Sequence, residues 1–123
     1  MLRERALKVV LVLVGLLFSA AVYPAIGGLL DPAHSDTGDT MMMSLYFALG
    51  VFLLISVRKP GSHRSLIAFA AWSSFAHAVV MSILGFEIAS QRTGFLVGSA
   101  LLVLIGVALA VLAPRKQTAA AAA

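Results

Sequence analysis

Between Arg64 and Glu87 the chain reads SLIAFAAWSSFAHAVVMSILGF, twenty-two residues without a single charge. As a helix rising about 1.5 Å per residue this run covers about 33 Å, enough to cross a hydrocarbon core of about 30 Å. Three further runs are also free of charge: Val9–Leu30, Thr40–Val57 and Thr93–Pro114. The second of these has 18 residues and so has the least length to spare for tilt. Lipid offers no water to unpaired backbone groups, so each run must satisfy its amides internally and is predicted to be helical. The expected fold is all-α: an integral membrane four-helix up-down bundle, one domain over residues 1–116.

Charge placement sets the expected orientation. Arg3, Arg5 and Lys8 precede the first run, Arg58, Lys59 and Arg64 separate the second from the third, and Arg115 and Lys116 follow the fourth. The other two connections carry Arg92 against Asp31, Asp36, Asp39 and Glu87. Lys and Arg are retained on the cytoplasmic side, so both termini are expected to be cytoplasmic. The same alternation accounts for a pI near 10 without a polyanionic partner, and no nucleic acid is expected. With 61% hydrophobic and 11% charged residues, a water-soluble domain of this size would lack the polar surface it needs. The expected location is a bacterial cytoplasmic (inner) membrane, crossed several times, with the lipid bilayer as first partner.

The first run has a basic start and small residues at Ser19–Ala21, as a cleaved leader does. Its apolar length exceeds the 7–15 residues usual for such leaders, so it is read as a retained span. Pro24 should end or kink it, with Tyr23 at interfacial depth. Lys59-Pro60-Gly61-Ser62 is a turn signature that makes the second and third spans an antiparallel hairpin. Ser35, Asp36 and Asp39 are the candidate caps for the second helix. The alanines that close residues 117–123 form a low-complexity tail with no functional signal.

Lipid solvates leucine as well as a neighbouring helix does, so association must come from close backbone approach and polar contacts. The ladder Ala70, Ser74, Ala78, Ser82 marks such a face on the third span, and Gly94 and Gly98 mark one on the fourth. Gly15 with Ser19, and Ser44 with Ala48 near Gly50, offer shorter versions. These seams serve packing within the chain, a homo-oligomer, or docking onto a larger membrane complex.

Residues able to carry chemistry are few. His77 lies one turn after Ser73 and one before Met81, beside the ladder that contains Ser74. An imidazole at that depth needs a partner. It serves either as a structural hydrogen-bonding group or as a proton, metal or small-ligand site with Ser73, Ser74 and Met81. Outside the spans, His34 with Met41, Met42 and Met43 forms a second candidate set, of the kind soft copper(I) favours. Three consecutive methionines point around a helix at about 100° intervals, which argues against one shared ion. Glu87 and Arg92 are placed to form a surface ion pair. The chain has no cysteine, no acid within a span and no nucleophile elbow. No cofactor is expected. Four short spans look like the small multidrug transporters, but those depend on a glutamate within the first span, and this chain has none there.

One further resemblance covers most of residues 3–114. Arg3-Glu4-Arg5 with Leu7-Lys8, Tyr23-Pro24, Leu49–Leu54, Arg58-Lys59-Pro60, His63–Leu66, and Trp72-Ser73-Ser74 with His77 and Met81 carry it. In these motifs the chain resembles an uncharacterised bacterial family of small four-span membrane proteins, a domain of unknown function. The resemblance implies the fold and no substrate. The reading is therefore a non-enzymatic membrane protein, an accessory, assembly or structural subunit. The alternative is a small-ligand, metal or proton binding or transport protein using His77.

Overall fold

The computed structural model describes residues 2–114, so the tail 117–123, with Arg115 and Lys116, lies outside the described residues. Those described residues are all-helical and contain no strand. The five α-helices are α1 (Leu2–Ser19), α2 (Val22–Leu30), α3 (Thr37–Ser56), α4 (Arg64–Glu87) and α5 (Arg92–Leu112). With α1 and α2 taken as one interrupted segment, four helical segments are long and apolar enough to cross a membrane.

The interruption between α1 and α2 has a local cause. Pro24 has no N–H for the Ala20 carbonyl, and its ring crowds that turn. The Tyr23 N–H reaches the Ala20 oxygen instead at 3.1 Å, and the Ala21 N–H reaches Phe18 at 3.0 Å. These tighter bonds break the helix at Ala20–Ala21, one turn ahead of the proline that causes it. Beyond α2, the Asp36 carboxylate accepts from the Asp39 N–H at 2.9 Å and caps α3. Ser35, another candidate cap, instead donates its hydroxyl to the Asp31 carbonyl at 2.8 Å. Lys59-Pro60-Gly61-Ser62 turns as its sequence requires, through a short 3₁₀ segment at Pro60–His63.

The described residues divide into two compact units, each built around one antiparallel hairpin. The unit over residues 8–58 sets α1 and α2 against α3. Gly15 faces the Leu54 side chain and the Gly50 carbonyl, and Gly50 lies against Ser19. Phe18 meets Tyr46 edge-on, with ring centres 4.9 Å apart at 71°. Gly28 sits directly under the Thr40 side chain, carrying the close approach past the break in the helix.

The second unit joins residues 2–7 to 59–114 and sets α4 against α5. Ile67, Ala70, Ala71, Ser74, Ala78 and Gly85 are the buried face of α4. Ser99, Leu102, Ile105, Gly106 and Leu109 are the buried face of α5. Small residues on α4 let large ones on α5 fill the space, and the pattern reverses at Gly106. There the Phe75 ring, itself edge-on to Trp72 at 5.4 Å, covers the glycine.

Candidate functional site

α4 is the element that carries the candidate residues, and its apolar sequence gives it 24 residues without a break. Ser73, His77 and Met81 follow each other at i, i+4 along one stripe, with Ser74 and Ala78 on the adjoining buried stripe. His77 is half-buried. The Ser74 hydroxyl donates to the Ala70 carbonyl at 2.7 Å, and Ser73 donates to the same oxygen at 3.2 Å. Both serines therefore commit their only donor to their own helix and keep only lone pairs for anything else. Met81 lays its methyl group over Gly98, where a built Cβ would stand 2.6 Å from it. Its thioether thus fills a notch on α5, an ordinary use of methionine in an irregular gap.

The small-residue ladder divides. Ala70, Ser74 and Ala78 are buried, Ser82 is half-buried, and Gly98 takes Met81. Gly94 is exposed and a Cβ built there meets nothing within 4 Å, so this glycine does not join the seam. On α3, Ser44 and Ala48 are also exposed, and Gly50 makes the close approach. The Ser44 hydroxyl donates to the Met41 carbonyl at 2.6 Å.

Outside the spans, His34 Nδ1 lies 2.9 Å from an Asp31 carboxylate oxygen, with both side chains exposed. Met41 and Met42 are exposed and Met43 is half-buried, as expected of three successive positions around a helix. Among the described residues no three histidine, cysteine or acidic side chains converge on a point where a cation could sit.

Two kinds of polar contact have no counterpart in the sequence reading. Ser99 is 4% exposed, and its hydroxyl donates across the hairpin to the Ala78 carbonyl at 3.1 Å. Its signal was available: it is the only hydroxyl in the apolar run after Thr93, and it follows Gly98 directly. The arginines form the second kind. Arg92 donates to the carbonyls of Gly85 and Phe86, each at 3.0 Å, and so closes the C-terminal end of α4. The expected pairing with Glu87 gives way to helix capping, because orphan carbonyls at a helix end carry partial negative charge that a fixed guanidinium satisfies geometrically. At the other end of the hairpin Arg3 donates to Val111 at 3.1 Å and Ala113 at 2.9 Å, while Arg64 donates to Pro114 at 3.1 Å. One polar atom remains unspent in the 8–58 unit: Ser19 Oγ is buried without a hydrogen-bond partner, beside Gly50.

Four long apolar helical segments, paired along small-residue seams and with arginines on the helix-end carbonyls of the second hairpin, are consistent with a multi-pass helical membrane protein. Within that class, the chain belongs to the Family of unknown function (DUF6632), which it matches over residues 1–121. No curated protein and no solved structure matches it.

Proposed function

We propose that this protein is an accessory or assembly subunit of a complex in the bacterial inner membrane, without catalytic activity of its own. One observation carries the reading: four serines within the spans spend their hydroxyls on helix backbone, Ser19 being the buried exception. Ser56 donates to Leu53 at 2.6 Å, Ser73 and Ser74 to Ala70, and Ser99 to Ala78. Ser99 thereby ties α5 to α4, the other three satisfy their hydroxyls on their own helix, and the outer faces are left apolar. Leu45, Phe52, Trp72 and Leu104 are each more than half exposed, on surfaces suited to lipid or to a partner helix. Purification in mild detergent, followed by mass analysis and an absorption spectrum, tests this. Partner chains or a second copy are expected to co-purify, and His77→Leu should leave both the fold and the recovered species unchanged. If wild type carries a stoichiometric metal, pigment or small molecule that a folded His77→Leu protein has lost, the binding or transport reading replaces this one.

The proposed topology is an up-down path of four crossings with both termini in the cytoplasm. The alternation of basic and acidic connections supports it. Because the chain has no cysteine, single cysteines at Ser35 and Ser62 give an unambiguous readout. An impermeant thiol reagent applied to intact cells should label the Ser35→Cys protein and leave Ser62→Cys unmodified until the membrane is opened. The reverse pattern would invert the orientation.

A further inference from the structure

We infer that the end of the second hairpin, where α4 begins and α5 finishes, binds the phosphodiester headgroup of an anionic phospholipid. The inference rests on the membrane reading above and adds a specific site to it. Arg3 is held by the carbonyls of Val111 and Ala113, and Arg64 by the carbonyl of Pro114. Consecutive residues, 113 and 114, thus hold two guanidiniums at the same end of the hairpin. Among the described residues, their bonds to the chain use Nη2 of Arg3 and Nε of Arg64, so Nη1 of Arg3 and both Nη groups of Arg64 have donors to offer. A fixed pair of planar donors is the arrangement that takes the two non-bridging oxygens of a phosphate.

A cleft of about 320 Å³ opens at the same place. It is polar at Arg3 and Glu4 and apolar at Leu7, Pro60, Leu112 and Pro114. Arg3, Arg64 and the neighbouring exposed Lys59 outweigh Glu4, so the balance favours an anion. The apolar lining suits glycerol and the first acyl carbons, which inorganic phosphate lacks. The location at the ends of two apolar helices is headgroup depth, where basic residues meet acidic lipids.

The test is native mass spectrometry of the detergent-extracted chain, offered phosphatidylglycerol or phosphatidylcholine with matched acyl chains. Wild type is expected to retain phosphatidylglycerol about twenty-five-fold better, the product of two basic groups each contributing about five-fold. Arg3→Gln and Arg64→Gln should each weaken retention about five-fold. Gly61→Phe removes no charge and no hydrogen bond. Gly61 lines the cleft, its backbone is not left-handed, and a Cβ there meets nothing within 4 Å, so the ring fills the opening and should abolish retention. Arg92→Gln loses a comparable cap at the opposite end of the same hairpin and should retain the lipid as wild type does. Equal retention of the two lipids, displacement by inorganic phosphate alone, or full retention by folded Gly61→Phe would overturn the proposal. The membrane reading fails separately, if an alkaline carbonate wash strips the wild-type chain from membranes.

Discussion

Gly50→Ala is expected to destabilise the first hairpin by about 1–2 kcal/mol, and Gly50→Leu by about 3 kcal/mol or more. A Cβ at Gly50 would run into the backbone nitrogen of Ser19 and stand 2.7 Å from both the Gly15 carbonyl oxygen and Ser19 Oγ. Two of those three atoms belong to backbone and have no rotamer to turn into, so α1 and α3 must separate. Alanine is the better helix former by about 1 kcal/mol, and that gain opposes an overpacking cost of about 1–3 kcal/mol. The steric term wins because the obstruction is backbone. Gly27→Ala is the matched control: a Cβ there meets nothing within 4 Å, so only the propensity gain remains. Thermal or SDS-driven unfolding in mild detergent, followed by circular dichroism, ranks the three variants. Equal stability of Gly50→Ala and Gly27→Ala would show that the seam at Gly15 and Gly50 is not tight.

Ala78→Leu should cost the second hairpin about 2–3 kcal/mol. Ala78 is 2% exposed, and its carbonyl accepts the Ser99 hydroxyl. Three added carbons have no space between α4 and α5 at this point. Parting the helices also lengthens the Ser99 bond, which at the average for membrane helices is worth about 0.6 kcal/mol. Ser99→Ala isolates that smaller loss, because it removes the hydroxyl without adding volume. Val79→Leu, one position along on a surface 58% exposed, should be neutral. The same unfolding assay separates the cases. If Ala78→Leu and Val79→Leu unfold together, α4 presents a different face to α5.

Which features the sequence disclosed follows from how each is encoded. Spans are written in the absence of charge, so all four were legible from runs such as Ser65–Phe86. Pro24 and Pro60 act through covalent geometry and announce a break and a turn with no knowledge of tertiary structure. Even so, the break appears at Ala20–Ala21, because the missing bond is the one the proline would have made to the preceding turn. Helix rotation is harder to read. In water an apolar stripe points inward, but in lipid both faces are apolar and hydropathy no longer marks the inner one. Gly94 and Gly98 share a stripe on paper, yet only Gly98 meets a neighbour. The candidate site shows the same limit. The spacing places Ser73, His77 and Met81 on one stripe of a helix, but does not tell that Ser73 and Ser74 both donate to Ala70. Nor could it tell that Arg92 would prefer backbone carbonyls to Glu87, a choice set by where α4 ends rather than by charge.

The contact from Arg3 to Val111 and Ala113 closes across 108 and 110 residues of chain. A ribosome adding about 5–20 residues per second needs roughly 5–20 s to make the acceptors after the donor has emerged. Throughout that interval the guanidinium has none of these carbonyls to bind. The hairpin over residues 8–58 has all its own partners by then and can close first. Arg3 thus becomes a latch on the last helix only after that helix has been made.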